Sequence, residues 1–371
     1  MKYYIIAGEA SGELHGSHLR EELYAQDPEA EVRFWGRERM EAVMGFLEVL
    51  RKARVLSRTL RQCKEDIAAW QPDVVILVDY PGFNFKIAEF AHKAGLKVYW
   101  YIAPKLWASR EGRIRRLKAW VDRLYIIFPF EQAYFARRGV PCTYVGNPLL
   151  DALDGNPALA ESREAFLART GLPDRPLVAL LAGSRSMEIG QMMPVFMQVA
   201  DAWHTLHPEQ HFVLAAAPGW TAADYAGYIQ DRDFVHVVCG ETYGALRHAQ
   251  AAVINSGTAS LEAALIGTPQ VVTYRMSPIS AWIARRLIRV PYVSLVNLIL
   301  DRPAVKELLQ GDFTRAKILE ELDRLVLDPA CRSAFQADYA LLRAILGNAG
   351  ASRAIARDMI KQLKQAKQPN E

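Results

Sequence analysis

Residues 72–84 read Pro-Asp-Val-Val-Ile-Leu-Val-Asp-Tyr-Pro-Gly-Phe-Asn. Val74 to Val78 form an unbroken apolar run, mostly β-branched. An apolar run without alternation is a strand covered on both faces, as in a parallel sheet. The run ends on Asp79. Pro81-Gly82 then breaks the chain, and a helical pattern follows at Phe85–Ala94. Strand, turn and helix in that order make one half of a parallel crossover unit.

The same rhythm extends to both sides. Strands are predicted at Tyr3–Ala7, Val32–Gly36, Val98–Ile102, Leu124–Phe128 and Thr143–Gly146. Helical patterns lie between them at His15–Ala25, Arg113–Ala119 and Phe130–Arg137. Asp154-Gly155-Asn156-Pro157 interrupts the rhythm, and so does Gly171-Leu172-Pro173-Asp174-Arg175-Pro176 after one helix. It restarts at Leu177–Ala182 and continues at Phe212–Ala216, Val235–Val238, Ala252–Asn255 and Gln270–Tyr274. From about Arg315 the pattern is helical, with a polar tail. The expected fold is α/β: two Rossmann-like domains, 1–165 and 172–345, facing a cleft, with a helical segment at 346–371. Ligands in such folds bind at the carboxyl ends of strands, and the cleft between domains is the expected site.

Composition narrows the class. Hydrophobic residues make up 51% of the 371 positions and charged residues 23%, a globular balance that excludes a disordered chain. Lys+Arg minus Asp+Glu is 45 − 41 = +4, too small a surplus to indicate a nucleic-acid partner. Cys63, Cys142, Cys239 and Cys331 lie far apart, which excludes a C-x-x-C zinc or redox motif and suits a reducing compartment. The short apolar start, Tyr3–Ala7, meets Glu9 at once, and no apolar run reaches the roughly 18 residues of a membrane span. These features predict a cytoplasmic protein made without a removed leader.

Four turns could carry chemistry. Gly8-Glu9-Ala10-Ser11-Gly12-Glu13 follows the first strand. Its two carboxylates disfavour a diphosphate. They suit sugar hydroxyls or the dipole of the following helix. Asp79 ends a central strand. It is either a partly desolvated base for a substrate hydroxyl or the residue that holds a Pro-Gly turn. At Gly183-Ser184-Arg185, glycine opens the backbone while serine and arginine can donate to phosphate, and Glu188 is placed to orient Arg185. Ser256-Gly257-Thr258 opens a helix and offers further donors, and Glu262 one turn later can accept from ribose hydroxyls. The last two turns fall in one domain and together indicate a nucleoside-diphosphate site.

Other signals read as structural. Asp231-Arg232-Asp233 has a D-x-D form but sits at the amino end of the sheet. His15/His18 and His204/His207 read as helix-surface pairs. The sequence contains no G-x-S-x-G, Walker loop or complete G-x-G-x-x-G. Two apolar–basic stretches, Val43–Arg61 and Trp282–Arg289, suit either a core helix with a charged face or an anionic membrane surface. Arg110, Arg113, Arg115, Arg116 and Lys118 follow an aromatic-rich run, where they could hold a phosphate on a second substrate.

The order of motifs resembles the lipid-A-disaccharide synthase family over nearly the whole chain. The matching pieces are G-E-A-S-G-E at 8–13, A-V-M-G-F-L-E-V-L at 42–50, P-D-V-V-I-L-V-D at 72–79, P-F-E at 129–131 and V-P-C at 140–142. They continue with G-S-R at 183–185, S-G-T-A-S-L-E at 256–262, Y-R-M-S-P at 274–278, Y-V-S-L-V-N-L at 292–298 and V-K-E-L-L-Q at 305–310. The resemblance implies a GT-B glycosyltransferase that needs no metal and no cofactor. The implied reaction joins UDP-2,3-diacylglucosamine to 2,3-diacylglucosamine 1-phosphate at an inner-membrane surface, giving a β-1,6 disaccharide phosphate and UDP. It implies Asp79 as the catalytic residue. Arg185, Glu262, Asn297 and Gln310 fall on the donor side, with Gly183, Ser184, Ser256, Gly257 and Thr258. Glu9, Ser11 and Gly12 then belong to the acceptor side, and Val43, Met44, Phe46, Leu47, Arg51 and Lys52 to membrane contact. Glu13, Ser109, Asn147 and Val296 depart from the family pattern, and Ser109 and Asn147 receive no role. The helical C-terminus suits either packing on the first half or exchange in a homodimer. Two other readings fit the architecture: a UDP-N-acetylglucosamine 2-epimerase, and a non-enzymatic protein binding a nucleotide or lipid phosphate.

Overall fold

The computed structural model describes residues 1–36, 49–277, 281 and 290–367, without the side chains of 10 and 49–55. The chain forms two compact units. The first comprises Met1–Asp154 and Leu346–Glu371, and the second Gly155–Ile345.

The first unit holds β1 (Lys2–Ala7), β2 (Glu31–Trp35), β3 (Val74–Val78), β4 (Lys97–Tyr101), β5 (Arg123–Ile126) and β6 (Thr143–Tyr144), in the order β2-β1-β3-β4-β5-β6. Every pairing is parallel; Tyr3 faces Val74 and Val78 faces Tyr101. Val74 to Val78 are all fully buried, because helices cover both faces. One face packs Val75, Leu77, Phe85 and Ile87 with Trp100. The other packs Tyr3, Ile5, Ile76 and Val78 against the last helix, Ala351–Lys367.

That last helix completes the first unit. Ile355, Ala356, Met359, Ile360 and Leu363 share one stripe and enter the core beneath β1, β3, β4 and β5. Its amino end is capped by Asp151, whose carboxylate accepts from Gly350 N (2.5 Å), Ala351 N (3.1 Å) and Ser352 N (2.7 Å). A carboxylate there satisfies orphan N–H groups and meets the positive end of the helix. Tyr125 adds a bond to Asp358 at 2.9 Å.

The second unit holds β7 (Leu177–Leu181), β8 (His211–Ala216), β9 (Val235–Cys239), β10 (Ala251–Asn255), β11 (Gln270–Tyr274) and β12 (Lys306–Leu309), in the order β12-β11-β10-β7-β8-β9. Its pairings are parallel too. Counted from β7 as the first strand, this is the 3-2-1-4-5-6 order of dinucleotide-binding sheets. Helix Arg163–Thr170 belongs to this unit: Phe166 lies in its core, and Arg163 donates to His248 O at 3.0 Å.

Four details differ from the sequence reading. β12 was absent from it, being a short strand with an exposed Lys306. The first helix starts at Ala10, so Ser11, Gly12 and Glu13 are its first turn rather than a loop. His15 is 5% exposed, not on the surface; burial and neighbouring His18 push its imidazole down to about 4. The 154–176 region holds two helices, Pro157–Ala160 and Arg163–Thr170, where one was expected.

Ile355 has no exposed surface. Ile355→Ala should lower stability by about 2–5 kcal/mol, read as a lower denaturation midpoint in urea.

Candidate functional site

In the first sheet the strand order reverses between β1 and β3, which opens a crevice at their carboxyl ends. Gly8-Glu9 leaves β1 there, and Asp79 leaves β3. A Cβ on Gly8 would lie 2.4 Å from the Tyr80 ring, so only glycine permits this approach. Gly12 is buried in the first helical turn, 3.7 Å from Val78 at its Cβ position, whereas Ser11 is exposed.

Asp79 and Tyr80 have φ angles of 42° and 45°. Two successive non-glycine residues in the left-handed region cost about 1–3 kcal/mol each. The surroundings impose this geometry. Asp79 N donates to Tyr101 O at 3.1 Å. Asn84, fully buried, donates its Nδ2 to Val78 O at 3.2 Å and to Asp79 O at 2.7 Å. The Asp79 carboxyl is pushed up by burial. Lys105 draws it back down, Glu9 raises it further, and a backbone bond at Tyr80 lowers it. A carboxylate so placed is a stronger base than a free one and can accept a proton from a hydroxyl.

Lys105 comes from the loop after β4, and that loop is anchored. Trp107 Nε1 donates to Glu131 Oε1 at 2.9 Å, and Glu131 Oε2 accepts from Ile127 N and Phe128 N. Burial pushes the Glu131 carboxyl up to about 7, while these bonds and Lys105 pull against it. The carboxyl ends of β1, β3, β4 and β5 thus carry Glu9, Asp79, Lys105 and Glu131 in turn. The sequence reading singled out neither Lys105 nor Asn84; Glu131 entered it only within P-F-E. An apolar strand followed by Asp, with Asn five residues on, is the pattern that signals Asn84.

In the second sheet the order reverses between β7 and β10, so the turns after these two strands are neighbours. Gly183 has φ 103°, and a Cβ there would lie 2.5 Å from Asn255 Nδ2 and 2.7 Å from Glu188 Oε2. Glycine therefore lets the two turns close on each other. Glu188 organises the first turn: it accepts from Ser184 N at 3.2 Å and from Arg185 Nη1 at 3.1 Å. Ser184 and Arg185 are exposed, beside Ser256, Gly257 and Thr258, and Thr258 opens the helix Thr258–Ile266. Glu262 receives the Tyr243 hydroxyl at 3.1 Å. Burial raises the Glu262 carboxyl, and the tyrosine bond offsets part of that. Two turns that offer N–H and hydroxyl donors, with a held carboxylate at a switch point, are an arrangement that suits a nucleotide.

Asn297 and Gln310 sit differently. Asn297 is 1% exposed; its Nδ2 donates to Val305 O (2.9 Å) and Glu307 Oε1 (2.8 Å), and its Oδ1 accepts from Val305 N (2.8 Å). Gln310, with its amide oriented to match its neighbours, donates to Met276 O and accepts from Met276 N, each at 3.2 Å. Both amides tie segments flanking β11 and β12. Asn147 caps the helix Pro148–Leu153 through Leu149 N and donates to Ile127 O, a role within the fold. Arg232 of the D-x-D stretch is held by Asp201 through two bonds.

Val43, Met44, Phe46 and Leu47 lie outside the described residues, as does Trp282–Arg289. Arg51 and Lys52 fall in the helix Val49–Trp70, with side chains outside the description. Among the described residues, no helix is long and apolar enough to cross a membrane.

A family model described as lipid-A-disaccharide synthetase matches residues 3–354. A lipid-A-disaccharide synthase of Geobacter sulfurreducens is 35% identical over 374 aligned positions, covering 97% of this chain and 96% of the relative. One from Coxiella burnetii is 34% identical, covering 95% and 96%. Among solved structures, UDP-GlcNAc 2-epimerase from Neisseria meningitidis bound to UDP-GlcNAc superposes with a TM-score of 0.72 at 13% identity, covering 97% of this chain and 100% of that one. The glycotransferase of kitacinnamycin gives 0.60 at 16%, covering 98% of each. At these identities the structural likeness carries the fold alone, and that fold is the GT-B architecture.

Asn84→Ala should destabilise the protein by about 1–3 kcal/mol, because two buried carbonyls lose their donor. Denaturant unfolding monitored by tryptophan fluorescence measures it.

Proposed function

The chain belongs to the lipid-A-disaccharide synthetase family, and from that premise we propose the reaction its residues carry out. It is a glycosyltransferase of lipid A biosynthesis. The donor is UDP-2,3-diacylglucosamine and the acceptor 2,3-diacylglucosamine 1-phosphate; the products are the β-1,6-linked disaccharide 1-phosphate and UDP. Asp79 carries this reading: it is a raised carboxyl at the crevice of the first sheet, with its backbone held by Asn84.

Asp79 takes the proton from the acceptor 6-hydroxyl as that oxygen attacks the anomeric carbon. The C–O bond to UDP breaks in the same displacement, and configuration inverts. Arg185 and the N–H groups of the Gly183–Arg185 and Ser256–Thr258 turns receive the charge that develops on the leaving diphosphate. They supply there what a metal supplies in other transferases, so the reaction needs no metal and no cofactor. Glu262, oriented by Tyr243, accepts from the ribose hydroxyls. Asn297 and Gln310 shape the donor pocket from behind. Glu9, Ser11 and Gly12 border the acceptor sugar. Acyl chains stay at the cytoplasmic surface of the inner membrane, with Val43, Met44, Phe46, Leu47, Arg51 and Lys52 as the contact.

Mass spectrometry of products from the two acylated substrates tests the reaction; a disaccharide phosphate is expected. UDP-GlcNAc supplied alone should be recovered unchanged, and its epimerisation would instead support the activity named for the Neisseria neighbour. EDTA should leave turnover intact, and a strict Mg²⁺ requirement contradicts the scheme.

Asp79→Asn should lose about 10²–10⁴ in turnover. Arg185→Ala should lose about 10²–10³. Near-normal turnover in either removes that residue from its role. Asp79 works deprotonated, so rate falls as pH drops through its raised pKa. Lys105→Met removes a cation that stabilises the charged form. It should move the acid limb of the pH–rate profile to higher pH; an unmoved limb separates Lys105 from Asp79.

A further inference from the structure

Arg110, Arg113 and Arg116 form an uncompensated cluster in the first unit. None of the three makes an ion pair among the described residues, although with Arg115 four arginines stand within seven positions. Nearby acids are engaged elsewhere. Glu111 is bonded to Arg138, and Glu89, within electrostatic reach of Arg116, is paired with Lys93 at 2.7 Å. Crowding shows at Arg113, where burial and then Arg110 and Arg116 draw the guanidinium below its ordinary value. Like charges gathered without a counter-charge destabilise a fold unless an anion joins them.

The cluster is held rather than loose. Arg113 lies over the Phe85 ring at 5.6 Å and Arg116 over Trp120 at 5.9 Å. Such cation–π contacts hold each guanidinium near a ring without using up its N–H donors, which stay available to a second partner. Arg110 has φ 58°, left-handed for a side-chain-bearing residue, and its carbonyl accepts from Arg113 N at 3.0 Å.

Position links the cluster to Asp79. Phe85, which carries Arg113, stands in the second turn of the helix Pro81–Lys93 that begins just after Asp79, and it packs on Trp100 of β4 at 4.6 Å. The loop that starts with Lys105, whose charge reaches Asp79, leads to Arg110, and the 3-10 turn Glu111–Arg113 and the helix Ile114–Trp120 carry Arg113 and Arg116. Lys105 O accepts from Ser109 N at 3.3 Å, next to Arg110.

We propose that Arg110, Arg113 and Arg116 form the binding site for the phosphate monoester of the acceptor. This rests on the disaccharide-forming reading above. A monoester dianion presents three oxygens, which match two or three guanidinium forks. Gripping the phosphate at one end of the sugar presents the other end to Asp79. The cluster then selects a phosphorylated acceptor and fixes which hydroxyl reacts.

The test compares two acceptors, 2,3-diacylglucosamine 1-phosphate and 2,3-diacylglucosamine, with wild type, Arg113→Gln and Arg110→Gln/Arg113→Gln, in detergent micelles. Wild type should favour the phosphorylated acceptor. Each variant should raise KM for that acceptor about ten- to hundredfold. The donor KM and the rate with the unphosphorylated acceptor should stay within about twofold, which a misfolded variant could not do. Equal losses on both acceptors mean a structural role and overturn the site. So does an unchanged KM. Binding of the same variants to phosphatidylglycerol and phosphatidylcholine vesicles is the second arm. Lost binding to the anionic vesicles with an unchanged acceptor KM assigns the cluster to lipid headgroups and overturns the acceptor site. No disaccharide from wild type with either acceptor defeats the reaction itself, a result distinct from every variant outcome.

Discussion

Parallel strands cannot be joined by a hairpin, so each must be followed by a crossover that returns to the opposite edge of the sheet. All strand carboxyl ends therefore meet on one edge, and so do the turns that leave them. In this protein that constraint operates twice. It gathers Glu9, Asp79, Lys105 and Glu131 along one sheet, and Gly183–Arg185 with Ser256–Thr258 along the other. Where strand order reverses, the neighbouring crossovers diverge and backbone donors are left facing outward. The apolar strands hold these positions; the polar chemistry occupies the few residues that follow each one.

The two edges are electrically different. Around Asp79, burial and Glu9 oppose ionisation while Lys105 favours it, which leaves a carboxyl suited to receiving a proton. Around Arg185 the turn offers a guanidinium and backbone N–H groups, with Glu188 fixing the arginine through a bond at 3.1 Å. In the proposed reaction the first of these serves as the base and the second receives the leaving diphosphate. Backbone strain at Asp79 and Tyr80 belongs to the same economy: a glycine-free left-handed turn is tolerated because Asn84 and Tyr101 over-determine it.

Most of this fold was legible because a strand buried on both faces must be written as a continuous apolar run. Val74–Val78 and Leu177–Leu181 obey that rule, and so does 251–254 before the polar Asn255. β12 did not, because its Lys306 is exposed and Glu307 reaches back to Asn297. The turns could be found as Gly, Ser and acidic residues after strands. What they contact could not: Tyr243 on Glu262, Asn84 beneath Asp79 and Trp107 on Glu131 are partners set by tertiary packing alone. His15 was misplaced because its helix has apolar neighbours on more than one side, with the final helix covering a face that looks solvent-exposed in sequence. Motif order carried the family; spacing by itself left Asp79 open between two roles.

The helix Ala351–Lys367 closes the core of a unit whose first strand begins at Lys2. A ribosome delivers the helix only after the whole of the second unit, long after the strand. The second unit has its whole chain in hand by Ile345 and can finish folding while the first still shows a bare apolar face above β1 and β3. Contacts this distant in sequence are slow to close. A nascent chain that already carries β1 and β3 but not yet this helix leaves that apolar face unsheltered, the kind of exposed surface that invites aggregation.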